Sequence, residues 1–129
     1  MTSEGERESA AAEIELADEE LRAAAKLLQD GLVRIAVTHA YYAAFHAVRA
    51  RLSSQSLEPK THTGVQQLWN VHFVRTGLYD SSTYVLLSRL QKLREEADYV
   101  RGFTIDEAHA REELEAARGL VERIRRDLG

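Results

Sequence analysis

The sequence contains no cysteine and only one proline among its 129 residues. Without cysteine, neither a disulfide framework nor a thiolate metal site can form, so packing has to stabilise the fold. No apolar run reaches the length of a membrane span, and the acidic first residues lack the apolar stretch of a signal peptide. These absences predict a cytoplasmic protein without a membrane segment, and no metal ion or other cofactor is expected.

The sparse proline and glycine residues divide the chain into segments of helical length. These residues are Gly31, Pro59, Gly64, Gly77 and Gly102. Apolar spacing of three and four predicts helices over about 9–30, 32–52 and 63–75, a fourth reaching Tyr99 after a cap at Asp80 or Ser81, and a fifth after a cap at Thr104 or Asp106. We therefore expect one all-α domain over residues 1–129, an up-and-down antiparallel helical bundle of four main helices plus one short helix. Residues 1–8 are expected to form a flexible acidic tail.

The segment from Leu32 to Leu52 carries apolar residues around its whole circumference, which is typical of a central, buried helix. Its alanines allow neighbouring helices to approach closely. His39 and His46 lie seven residues apart on this helix. Because no cysteine or His-Glu-x-x-His pattern accompanies them, we interpret both as hydrogen-bonded histidines rather than metal ligands.

Charge is distributed unevenly along the chain. The formal net charge is -6 over residues 1–30, +4 over 31–105 and -2 over 106–129. A basic middle segment fits a nucleic-acid partner, although the solvated faces of a helical bundle give similar counts.

Three polar side chains, Arg94, Asp98 and Tyr99, fall within a turn and a half at the end of the fourth helix. One interpretation is a surface ion pair between Arg94 and Asp98, four residues apart. The other gives Arg94 a phosphate or transition-state charge to hold, with Asp98 and Tyr99 orienting it or adding hydrogen bonds.

A second candidate anion site is the segment Lys60-Thr61-His62-Thr63-Gly64, which precedes a short helix. Free backbone N–H groups and the positive end of the helix dipole favour an anion there, but a simple helix cap at Thr61 or Thr63 explains the same residues. The segment is not a Walker loop, because the glycine-rich spacing is missing. Nearby Trp69, Phe73 and Tyr84 suit either base stacking or the core.

Three strings together resemble the HEPN domain family over about residues 14–125. They are Ala40-Tyr41-Tyr42-Ala43-Ala44-Phe45-His46-Ala47, then Pro59-Lys60-Thr61-His62-Thr63-Gly64-Val65, and then 72–77 combined with Leu93-Arg94-Glu95-Glu96-Ala97-Asp98-Tyr99. The chain is most similar to small stand-alone prokaryotic members that are often encoded beside a minimal nucleotidyltransferase. This resemblance implies a helical bundle that forms a homodimer, with the polar motifs of both copies facing one cleft.

Many HEPN proteins are metal-independent ribonucleases that act as toxins, with the nucleotidyltransferase as antitoxin. Their motif is an arginine followed four to six residues later by a histidine. Arg94 matches the arginine, whereas Asp98 and Tyr99 stand where the histidine is expected. A second departure is His39, where related sequences usually have an arginine. The missing histidine leaves the proton transfers of RNA cleavage to another group, such as His62 or His46.

The resemblance leads to two hypotheses for the chain. The first is a toxin-like ribonuclease whose catalytic residues are Arg94, Asp98, Tyr99 and His62, with Arg94 stabilising phosphorane charge and His62 shuttling protons. Its nucleotide- or RNA-binding residues are Lys60, Thr61, His62, Arg75 and Arg94. The second is a non-catalytic module that binds a nucleotide or docks the nucleotidyltransferase. In either case Tyr99 is placed like the tyrosine to which the partner of some HEPN toxins transfers AMP.

Overall fold

The computed structural model describes residues 3–129, and in this part of the chain all regular secondary structure is helical. The elements are α1 (Glu4–Gln29), α2 (Val33–Ser53), α3 (His62–Trp69), a π-helical segment (Asn70–Val74), α4 (Ser81–Tyr99) and α5 (Glu107–Leu128). The predicted all-α fold, with four long helices and one short one, is confirmed.

Neighbouring long helices run antiparallel, as the contacts between them show. On α1 and α2, Glu20 contacts His39 while the earlier Glu13 contacts the later His46. On α2 and α4, Arg34 donates to the carbonyl oxygen of Ala97 at 3.0 Å, near the start of one helix and the end of the other. The helices therefore form the expected up-and-down bundle.

Helix α2 is the centre of the fold, as its apolar circumference predicts. It packs against α1, α3, α4 and α5, and twelve of its residues are buried. Several of these are alanines with no exposed surface, such as Ala43, Ala44 and Ala47. Their small side chains let the surrounding helices approach closely, which places the side chains on one face of α2 in direct contact with α3 and α4.

Helix α1 begins at Glu4, so the expectation of a flexible tail over residues 1–8 is wrong from residue 4 onward; residues 1 and 2 lie outside the described residues. The reason is a capping box, in which the Ser3 hydroxyl accepts from the Glu6 backbone N–H at 3.1 Å and Glu6 accepts from the Ser3 N–H at 2.7 Å. Glu6 also accepts from the Ser56 hydroxyl at 2.5 Å, which ties this first turn to the loop after α2.

Three further helix ends follow the predicted chemistry. After α1, Gly31 has φ +79°, and the Leu32 N–H donates to the Leu27 carbonyl oxygen at 2.8 Å, which completes a Schellman cap. Asp80 and Asp106 supply the side-chain caps of α4 and α5. Among the alternatives left open by the sequence, these two aspartates are therefore the caps.

The predicted helix over residues 63–75 is divided into two parts. The α-helix ends at Trp69 and continues as the π-helical segment, where the Arg75 N–H donates to the Asn70 carbonyl oxygen at 2.8 Å. Both Trp69 and Phe73 are fully buried, and their rings stack with centroids 4.8 Å apart. These two aromatic residues belong to the core and are not a surface for base stacking.

Within residues 3–129, no helix is long and apolar enough to cross a membrane.

An ion pair between the half-exposed Arg89 and the buried Glu113 joins α4 to α5. Glu113 is the one buried carboxylate among residues 3–129, and Arg89 donates to both of its oxygens, at 2.8 and 3.0 Å. In the Arg89→Met variant this carboxylate stays buried without its charged partner, so we expect the free energy of unfolding in urea to fall by about 2 kcal/mol.

The matched control is Arg111→Met, which removes the exposed ion pair between Arg111 and Glu107 on the same helix α5. We expect this variant to change the free energy of unfolding by less than about 0.5 kcal/mol. Equal losses of stability in the two variants would show that the pair between Arg89 and Glu113 stabilises the fold no more than an exposed ion pair does.

Candidate functional site

The guanidinium group of Arg94 lies against two tyrosine rings of the central helix. Its Cζ atom is 5.6 Å from the ring centroid of Tyr41 and 5.9 Å from that of Tyr42. The α4 helix carries Arg94 and α2 carries both tyrosines, and the antiparallel packing of these helices brings them together. Cation–π attraction of this kind holds a guanidinium in place without neutralising its charge.

The carboxylate contact of Arg94 is long. The Asp98 Oδ2 atom lies 3.5 Å from Nη1 of Arg94, and the Asp98 Oδ1 atom also accepts from the Thr38 hydroxyl at 3.4 Å. The Nε atom of Arg94 is buried and has no hydrogen-bond partner among the described residues. Because Nε is enclosed, a ligand meets the guanidinium at its Nη atoms, of which only Nη1 has a bond among the described residues, to Asp98.

His62 is positioned by the first turn of α3. The Thr61 side chain caps this helix by accepting from the Gly64 backbone N–H at 2.9 Å, so the alternative of a simple cap is correct for Thr61. A Cβ atom on residue 64 would lie only 2.9 Å from that same hydroxyl oxygen, which explains the glycine. The cap fixes the backbone from which His62 extends toward α2.

His62 packs against α2 through its ring and one nitrogen. Its ring centroid lies 4.6 Å from that of Phe45, and its Nδ1 atom is 2.5 Å from the Tyr41 hydroxyl oxygen. Burial and the positive charges of Arg94 and Arg49 lower the pKa of His62 below its ordinary value of 6.5. The imidazole is therefore neutral near pH 7.

An open hollow on the other side of Arg94 is formed by α4 residues and the start of the next loop. Its lining residues are Lys92, Arg94, Glu95, Glu96, Tyr99 and Val100. The Tyr99 side chain is 78% exposed, so its hydroxyl is accessible to a large partner. Tyr99 thus lines the same hollow as Arg94 and stays largely exposed.

The structure brings some predicted site residues together and separates others. Arg94, Asp98 and His62 surround the pair of tyrosines, and the exposed Lys60 lies two residues before His62. Arg75 lies beyond the far end of the π-helical segment, about 20 Å from His62 at the rise of a helix. Arg75 is therefore not part of this cluster.

Sequence reasoning missed three side chains of the cluster. Tyr41 and Tyr42 are predicted only as part of the apolar circumference of α2, and Arg49 is not among the predicted site residues. Arg49 lies with its Cζ atom 5.6 Å from the Phe45 ring centroid and contacts Glu13 at 3.5 Å. The available signal was the spacing of residues 41, 45 and 49, since positions four apart share one helix face.

His39 and His46 face α1 instead of this cluster. His39 bonds to Glu20 at 2.6 Å and His46 to Glu13 at 2.7 Å, which confirms the interpretation of hydrogen-bonded histidines. His39, which stands where related sequences usually have an arginine, therefore lies away from Arg94. Within residues 3–129, no group of three His, Asp or Glu side chains is arranged to hold a metal ion.

The cluster combines a charged guanidinium held by aromatic rings with a neutral imidazole and nearby Arg49 and Lys60. Three carboxylates oppose these charges: Glu95 near His62, Asp98 at Arg94 and Glu13 at Arg49. A preorganised arginine beside a hydrogen-bonding imidazole suits a phosphate or another anion. The cluster is therefore a candidate anion site between α2, α3 and α4.

Similar proteins were found along nearly the whole chain. The family model described as HEPN domain matches residues 10–127. The chain is 36% identical over 122 residues to a Methanocaldococcus jannaschii protein named "Putative toxin MJ0605", which covers 95% of this chain and 90% of that protein.

Two further relatives match shorter parts. A Pyrococcus horikoshii protein named "UPF0332 protein PH1297" is 37% identical over 52% of this chain and 47% of its own length. A second M. jannaschii protein, "Putative toxin MJ0142", is 30% identical over 67% of this chain and 58% of its own length. Together with the match of the family model, these relatives show that the chain belongs to the HEPN domain family.

Proposed function

We propose that this chain is the toxin-like component of a toxin–antitoxin pair and that its target is single-stranded RNA, held by its phosphate groups. The family membership and the names of two relatives support the first part. The observation that carries the second part is the placement of Arg94, held against Tyr41 and Tyr42 with a single long carboxylate contact, to Asp98.

A phosphate between α3 and α4 receives charged hydrogen bonds from Arg94 and a further bond from His62. The exposed Lys60 adds positive charge at the entrance, and the half-buried Tyr42 ring offers an aromatic face for a base. As in the family, two copies in a homodimer bring two such clusters to one cleft. The dimer doubles the number of phosphate contacts and so increases the affinity for an extended strand.

In cleavage of RNA without a metal ion, the ribose 2'-oxygen attacks phosphorus and the 5'-oxygen leaves, which yields a 2',3'-cyclic phosphate. The 2'-hydroxyl gives up its proton and the leaving 5'-oxygen gains one. Arg94 stabilises the negative charge that accumulates on the phosphoryl oxygens between these events. This role requires the charge and the planar geometry of the guanidinium together.

Binding to a short labelled single-stranded RNA tests the proposal. We expect Arg94→Ala to weaken binding at least tenfold, because one charged contact to phosphate is worth about 1.4 kcal/mol or more, and to reduce the slope of affinity against salt by about 1. Arg75→Ala removes the same charge outside the cluster and should leave the affinity for a short RNA within about twofold. Equal losses in the two variants would show that binding is not located at Arg94.

Incubation of the purified protein with RNA and EDTA tests cleavage separately. We expect cleavage products ending in cyclic phosphate, and a loss of at least about 100-fold in the rate for Arg94→Ala, the effect of removing one donor that stabilises an oxyanion. The Arg75→Ala protein serves as the folded control with the same net charge. Cleavage that Arg94→Ala leaves unchanged would contradict the catalytic role.

A second candidate function is a non-catalytic module that binds a nucleotide or docks a nucleotidyltransferase. The absence of the motif histidine near Asp98 and Tyr99 favours it. The melting temperature of such a module rises when ATP, GTP or AMP is added, because a ligand that binds only the folded state stabilises that state. Unchanged melting temperatures, and no nucleotidyltransferase that co-purifies, would count against this function.

Tyr99 is the proposed point of control by a nucleotidyltransferase partner. Its phenolic oxygen attacks the α-phosphorus of ATP, pyrophosphate leaves, and the phenolic proton passes to solvent or a base of the partner. The exposure of Tyr99 supports this role, and the added phosphate brings negative charge beside Arg94.

Intact-mass measurement after co-expression with a minimal nucleotidyltransferase checks this control. We expect added AMP on the wild-type chain and none on Tyr99→Phe. Tyr84→Phe on the same helix α4 is the control and should retain the modification. Unchanged wild-type masses would contradict the proposal.

A further inference from the structure

The hydrogen bond between Tyr41 and His62 determines which nitrogen of His62 carries the proton. The Tyr41 side chain is buried, with 1% of its surface exposed. Its hydroxyl has a single hydrogen-bond partner among residues 3–129, the Nδ1 atom of His62, at 2.5 Å. The Nε2 atom of His62 has no hydrogen-bond partner among the same residues.

A buried hydroxyl needs an acceptor for its proton. Leaving a buried donor unsatisfied costs about 1–3 kcal/mol, so the arrangement in which Tyr41 donates is favoured over one in which it only accepts. Burial raises the pKa of Tyr41 well above its ordinary value, although the charge of Arg94 opposes this effect. Tyr41 therefore keeps its proton and donates it toward Nδ1.

The surroundings of His62 favour its neutral form. Arg49 on α2 and Arg94 on α4 place positive charge near the imidazole, while Glu95 on α4 acts in the opposite direction. Tyr42 and Phe45 on α2 contribute aromatic rings within 6.4 Å and 4.6 Å of the His62 ring centroid. A neutral imidazole whose Nδ1 atom accepts a hydrogen bond carries its proton on Nε2.

We infer that Tyr41 is a positioning residue that holds His62 as the neutral Nε2–H tautomer, so that His62 offers a hydrogen-bond donor and not a proton acceptor to a bound phosphate. The identity of this ligand rests on the proposed function, whereas the tautomer is a property of the free protein. Arg94 and His62 then form a pair of donors for the oxygens of one phosphate.

This assignment changes the expected chemistry of the site. In the Nε2–H form the free lone pair of the ring is occupied by the Tyr41 hydroxyl, so His62 cannot remove the proton from a ribose 2'-hydroxyl. A neutral N–H group instead stabilises charge on a phosphoryl oxygen, as a donor in an oxyanion site does. The proton acceptor for RNA cleavage is consequently a group other than His62.

Long-range ¹H–¹⁵N correlation spectra of the full chain with ¹⁵N-labelled histidine test the inference, with His62→Gln used to identify the His62 signals. We expect an unprotonated Nδ1 and a protonated Nε2 in the wild-type protein near pH 8. In Tyr41→Phe, loss of the donor to Nδ1 should give a mixture of tautomers and raise the pKa of His62 toward its ordinary value. The signals of His109, exposed on α5, should be the same in both proteins and report that Tyr41→Phe is folded.

The Nδ1–H tautomer in the wild-type protein would overturn the inference, and this result does not depend on how any variant folds. A folded Tyr41→Phe protein with an unchanged tautomer and pKa of His62 would also overturn it. Because these spectra are recorded without RNA, a failure of RNA binding would count against the proposed function and leave the tautomer result intact.

Discussion

Helix α2 packs against α1, α3, α4 and α5 and has twelve buried residues, and the need to fit these four neighbours organises the whole bundle. Its fully buried alanines set the close approach of the neighbouring helices. The bulkier Tyr41 and Phe45 are buried on the side where α3 and α4 pack. Polar side chains of those two helices that point toward α2 therefore contact aromatic rings. Arg94 and His62 are the two groups that do so.

The cluster follows from the energetics of burying polar groups. A guanidinium that is only 13% exposed requires compensation, and two tyrosine rings together with one long carboxylate contact supply only part of it. His62 avoids the same cost by remaining neutral and accepting from Tyr41. The positive charge of the site is therefore only partly compensated, which favours the binding of an anion such as phosphate.

Local patterns predicted the fold well, because its signals lie within a few residues of one another. The central position of α2, the glycine cap after α1 and the aspartate caps of α4 and α5 are all of this kind. The prediction of a flexible tail over residues 1–8 relies on acidic composition alone. It overlooks the Ser3 and Glu6 pattern of a capping box, which starts α1 at Glu4.

The site was predictable only in part, and mainly from the resemblance to a family and not from local patterns. Spacing alone left Arg94 and Asp98 as an ion pair or a ligand site, and the resemblance to HEPN domains singled out Arg94 and His62. The bond between Tyr41 and His62 joins residues 21 positions apart, and the contacts of His39 and His46 come from carboxylates on another helix. The periodicity of a single helix cannot predict such partners, because these contacts depend on how the helices pack.

The ¹⁵Nε signal of the Arg94 guanidinium tests most directly whether Arg94 is held ready for a phosphate. Titration of the labelled protein with a short single-stranded RNA should shift the Arg94 Nε signal and the nearby His62 ring signals, while signals from α5 stay unchanged. Saturation of the protein with RNA without any shift at Arg94, or with shifts confined to α5, would contradict a phosphate site at Arg94.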